Sequence, residues 1–176
     1  FYNCVNAEYI TFGGVQNIGE YAFYGAAALK ELSIPESVKS IGKFAFKGAS
    51  LVKSVIVPDT LEVMGAHVFY GMKDATFYSN ASGIKGEWDK YWNSSFRPVV
   101  WNAMLSEDKT YVVSITVSAG NFANANALGG IGDPVRSGMK FLGWAKTENG
   151  EAEIESGKIT EVEDGTVLYA VWGYEE

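Results

Sequence analysis

LKELSIPESVKSIGKFAFKGAS, residues 29–50, is one copy of a pattern that occurs three times and sets the architecture of the first half of the chain. Ile18-Gly19 recurs as Ile41-Gly42 and Met64-Gly65, Phe23 as Phe46 and Phe69, and Gly25 as Gly48 and Gly71, always 23 residues apart. Pro35 and Pro58 keep the same step, as do Val38 and Leu61. The opening copy is one residue short, which aligns Ile10 and Phe12 with Leu32 and Ile34, and with Val55 and Val57. Such a period is too short for a helix pair, which takes roughly 33 residues or more. It suits a short strand with a return path, the unit of a β-rich solenoid.

Within each copy, Leu32-Ser33-Ile34 and Val55-Ile56-Val57 read as strands, with the outer residues pointing inward and the middle one outward. Pro35 and Pro58 end them, because proline cannot donate to a ladder. The runs YAFYGA and FAFKGA read as a helical turn closed by a left-handed glycine. Phe23, Phe46 and Phe69 then form a spine that exists only when neighbouring coils stack.

The pattern IP-x-S-V-x-x-I-G-x-x-A-F-x-G resembles the BspA-like leucine-rich repeat over about residues 1–102, best in IPESVKSIGKFAFKGAS. The family's cysteine after the glycine is kept only as Cys4; Ala26, Ala49 and Met72 take its place in later copies. The chain opens at the repeat's phenylalanine position and is expected to be a piece of a longer protein. The exposed edge of its first coil offers a surface for self-association.

Residues 76–102 read as a break in the repeat and as an aromatic cap. Phe77 and Tyr78 are expected as a last strand beside Ser54 and Val55. Trp88, Tyr91, Trp92, Phe96 and Trp101 are expected to cover the apolar end of the coil stack. GEWDKYWN…RPVVW resembles the end-piece of BspA-like arrays. The alternative is a carbohydrate platform on Trp88 or Trp92.

Charge divides the chain near residue 103. Residues 1–102 carry nine acidic and nine basic side chains, whereas residues 103–176 carry twelve acidic and five basic, so the net charge of −7 lies in the second half. This opposes nucleic acid as a partner. The chain is 47% apolar and 20% charged, as befits a globular protein, and no apolar run reaches the roughly 20 residues of a membrane helix. The single cysteine excludes an internal disulfide, and Cys4 reads as a small core residue.

In residues 103–176, YVVSITVSAG, MKFLGWA and TVLYAVW read as strands, with Phe141 and Trp144 buried, and a helical turn is expected around 123–128. Pro134, Arg136, Gly138, Phe141, Gly143-Trp144, Gly150 and Leu168-Tyr169-Ala170-Val171-Trp172 resemble the internalin B-repeat, also called the Listeria–Bacteroides repeat, over about residues 106–173. That resemblance implies a small β-grasp-like α+β domain. The expected whole is mostly β: a solenoid over residues 1–102 with its cap at 76–102, then the β-grasp-like domain over 103–176.

No catalytic set is legible. His67 is the only histidine, fills the slot of Tyr21 and Phe44, and reads as a ring on the coil surface. The glycines of residues 121–134 lack the lysine of a phosphate loop. Glu87 and Asp89 flank Trp88, and Glu148, Glu151, Glu153, Glu155, Glu161, Glu163 and Asp164 form an acidic run; both read as solvated surface, without a calcium motif. The expectation is a protein without enzyme activity, cofactor or metal. The two resemblances imply a secreted or wall-displayed bacterial protein that binds a host or neighbouring-cell protein or glycan. A structural spacer, or an accessory carbohydrate-binding module of a secreted enzyme, is the alternative. The strand face is the expected binding surface, with Tyr9, Thr11, Glu31, Ser33, Ser54, Ile56, Phe77 and Ser79 projecting from it.

Overall fold

The computed structural model describes residues 1–118 and 130–176 and the backbone of residues 122–123. The chain is almost entirely strand and turn. The solenoid begins with β1 (Asn17–Ile18), and its second coil carries β2 (Leu32–Ser33) and β3 (Ser40–Ile41). The third coil carries β4 (Ser54–Val57) and β5 (Val63–Met64), and the fourth β6 (Thr76–Ser79) and β7 (Glu87–Trp88). β8 (Val99–Val100) follows.

These strands stack into two ladders. β1, β3, β5 and β7 pair in parallel along one side, from the isoleucine-glycine dipeptides. β2, β4, β6 and β8 pair in parallel along the other. The first ladder was not legible in the sequence, because two residues per coil give no alternation to read. Gly42 explains its tightness: a Cβ there would meet the Glu20 backbone nitrogen at 2.5 Å.

Between the ladders runs the phenylalanine spine. Phe23 and Phe46 stack with centroids 5.2 Å apart, and Phe46 and Phe69 with centroids 5.9 Å apart. The AFxG runs form tight turns rather than helix, closed by Gly25, Gly48 and Gly71 at φ of 77°, 89° and 93°. At the opposite end of each turn, Tyr21, Phe44 and His67 also adopt positive φ. Their rings stack into an outer column continued by Tyr91, with His67 at 5.3 Å from Phe44 and 5.7 Å from Tyr91. His67 is thus a ring on the coil surface. Cys4 is half-buried and free.

The repeat motif fades after residue 75, but the coil does not. Residues 76–102 complete a fourth turn stacked on the third, with β6 pairing β4 and β7 pairing β5 in parallel. Trp92 takes the next spine position, edge-on to Phe69 and Phe77. Trp101 is buried and Trp88 half-buried, whereas Tyr91 and Phe96 are exposed. Trp88 packs edge-on against Trp92, and its indole N–H points to Leu61 O at 3.4 Å. Trp92 therefore presents no exposed ring face to a carbohydrate, and Trp88 is partly covered.

The second half adds β9 (Met104–Leu105), β10 (Val112–Thr116), β11 (Phe122–Ala123), β12 (Met139–Ala145) and β13 (Val167–Tyr174). β12, β13, β10 and β9 form an antiparallel sheet in that order. A register shift between Phe141 and Gly143 puts Phe141 and Trp144 edge-on to one another, with centroids 5.2 Å apart. A 3-10 turn at Ser156–Glu161 packs Ile159 into this core, and Ser156 Oγ accepts the Trp144 indole N–H at 3.0 Å. Among the described residues there is no α-helix. The helical turn expected around 123–128 lies outside them, apart from Ala123, which is strand. β11 crosses to the solenoid and pairs antiparallel with β8.

Candidate functional site

The strand face of β2, β4, β6 and β8 is where the two halves meet. Outward from it point Ile56, Tyr78 and Val100, which join Leu105, Val112, Ile115, Trp144 and Leu168 in one apolar cluster. Polar contacts fix the seam. The Tyr78 hydroxyl donates to Gly132 O at 2.8 Å, and Gly132 N donates to Thr76 Oγ1 at 2.9 Å. Ser33 Oγ donates to Lys109 O at 3.1 Å. Arg97 donates to Ala75 O at 2.8 Å and to Gly130 O at 3.2 Å. Burial pushes the Tyr78 hydroxyl far above its usual range, helped by the Asp133 charge, so it serves as a neutral donor.

This seating corrects the expected face in two ways. Phe77 and Ser79 point inward, and Phe77 belongs to the solenoid core. The step from β4 to β6 is 22 residues here, pairing Val55 with Phe77 and Ile56 with Tyr78. A one-residue change of step turns every side chain to the other face, so Thr76 and Tyr78 hold the outward positions. Ser54 and Ile56 do point outward, but both are 3% exposed. Tyr78 was missed for the same reason, although its position between two inward residues is the signal that finds it.

The second half leaves the first coils of the face open. There a groove of about 370 Å³ collects six of the eight expected residues: Tyr9, Thr11, Glu31, Ser33, Ser54 and Ile56. Its opposite wall is Asp108, Lys109 and Thr110 from the β9–β10 turn, with Val135 and Ser137. Tyr9 and Thr11 are exposed, and Glu31 and Ser33 half-buried. The wall is held rigidly. Ser106 Oγ and Thr110 Oγ1 both donate to Asp108 Oδ1 at 2.7 Å, and Lys109 takes φ of 58° between them. The Arg136 guanidinium lies 3.8 Å over the Tyr111 ring, which anchors the segment bearing Val135 and Ser137.

Two polar groups line the groove without a protein partner among the described residues. Among the described residues, the Glu31 carboxylate has no hydrogen-bond or ion-pair partner, and burial raises its pKa. Ser54 lines the groove without a hydrogen bond to any described residue. Asp108 is the reverse case: hydrogen bonds from Ser106, then Thr110, hold its carboxyl below the usual range. Groups of three or more metal-ligating side chains are absent among the described residues.

The coil stack agrees with the sequence families it matches. Residues 1–88 match the BspA type leucine rich repeat region. The chain belongs to this family. The BspA-type solenoid is followed by a match to the Listeria-Bacteroides repeat domain at residues 106–171, in the order the sequence motifs imply. Both repeat types are typical of bacterial surface proteins. No curated protein and no solved structure matches the chain. In this BspA-type chain, the β9–β10 turn that walls the groove falls inside the second family match, and the floor falls inside the first.

Proposed function

We propose that the chain is a non-catalytic binding unit of a bacterial surface protein, displayed outside the cell, and that its ligand site is the groove between the open coils and the β9–β10 turn. The partner class is a protein or glycan of a host or neighbouring cell, rather than nucleic acid. The observation that carries this reading is the groove itself, in which Glu31 and Ser54 have no protein partner among the described residues and are left to meet a ligand.

A structural spacer is the second reading. What favours it is the burial of Ile56, Tyr78 and Val100 beneath the second half, which removes much of the strand face from solvent. One screen separates the two. The intact chain is titrated with host matrix proteins, mucins and a glycan array. Saturable binding that disappears with Thr11→Arg and weakens with Tyr9→Ala supports the groove. Binding indifferent to both substitutions contradicts it, and silence towards every probe favours the spacer.

A further inference from the structure

We infer that the groove selects a cationic side chain, a lysine or arginine presented by a partner protein. The inference rests on the reading of the groove as the binding site, and it names what that site accepts.

Charge is the first reason. Glu31 and Asp108 line the groove against a single lining cation, Lys109. The nearby Lys30 is already engaged, with its ammonium 2.7 Å from Glu8. The chain's net charge of −7 adds a field that draws cations and repels acidic ligands.

Desolvation is the second reason. Glu31 is half-buried before any ligand arrives, and that burial, which raises its pKa, has already removed part of its water. Part of the cost of forming a buried ion pair is thus already met in the free protein. A neutral sugar hydroxyl can hydrogen-bond this carboxylate but lacks the Coulomb attraction that an ammonium or guanidinium adds.

Shape is the third reason. Ile56 and Pro35 supply apolar surface for an aliphatic stem, as long cationic side chains bury their methylenes and keep the head polar. Ser54 adds an acceptor for the head group. Tyr9 adds a ring that attracts cations; Lys30 Nζ already lies 5.9 Å from its centroid. The volume, about 370 Å³, is at the low end for ligand pockets and suits one side chain.

The test is an NMR titration of the intact chain with three pentapeptides of glycine around one central residue: lysine, arginine or Nε-acetyl-lysine. A neutral oligosaccharide, lacto-N-tetraose, forms a fourth arm. The expected result is saturable shifts at the amides of Thr11, Ser33, Ser54 and Thr110 with the lysine and arginine peptides alone. Glu31→Gln then weakens binding by roughly tenfold, the effect of losing one close charge pair. Asp108→Asn weakens it less and reduces its salt dependence. Equal or stronger shifts from the acetylated peptide or the oligosaccharide overturn the cationic selectivity while leaving the groove as the binding site. Silence at those amides with all four probes overturns both.

Discussion

Phe46 lies between two parallel rings and is fully buried, so each neighbouring coil depends on it. Phe46→Ala is expected to destabilise the chain by about 3–5 kcal/mol, read from the denaturant midpoint. Gly42→Ala is expected to be costly too, because its Cβ would need the Glu20 backbone to move, whereas Gly83→Ala meets nothing within 4 Å and leaves stability unchanged. The carboxylates of the groove respond to pH in opposite senses. Glu31 has a folded pKa raised by burial, so its charge opposes folding above that pKa and the penalty vanishes below the ordinary carboxylate range. Glu31→Gln is therefore expected to raise Tm at neutral pH, with the gain fading on acidification. Asp108 has a lowered folded pKa, so its contribution is present above the ordinary carboxylate range and is lost as pH falls through the lowered value. Asp108→Asn is expected to lower Tm at neutral pH and to converge with the native chain in acid. At this scale the spine was legible, because phenylalanine repeats at a fixed step. The positive φ of Tyr21, Phe44 and His67 was not, since ring residues seldom take that conformation and no glycine announces it.

A strand two to four residues long carries little register information, and the fourth coil shows the consequence. The 23-residue step predicts Phe77 and Ser79 on the outer face, but the coil tightens by one residue and turns them inward. The core has the deciding vote: Phe77 fills space against Phe69, with centroids 4.8 Å apart, that Thr76 is too small to fill. β12 shows the opposite case. Its F-x-G-W spacing already contains the bulge, with Gly143 at φ of 139° and a Cβ there held to 3.1 Å from Ile154 O. The seam between the sheets is testable at Tyr78. Tyr78→Phe removes only the hydroxyl that donates to Gly132 O, and is expected to cost about 1 kcal/mol in chemical unfolding while the fold persists.

On the scale of the whole chain, two families in series predict two separate modules, and each is legible from its own motif. Their docking is not. It depends on Ile56, Tyr78 and Val100 together, three positions that no single repeat marks as special. The charge imbalance suggested a boundary near residue 103 but not that the acidic half turns back onto the neutral one. That return is what reduces a broad strand face to a groove with a floor from one repeat type and a wall from the other. The groove exists only if this docking holds, and hydroxyl-radical footprinting of the intact chain in solution measures it directly. The prediction is that Tyr78 and Trp144 stay unmodified under conditions that label the exposed Tyr9 and Tyr70. Labelling of Tyr78 at a rate comparable to Tyr9 would mean that the strand face is open and that the groove does not exist.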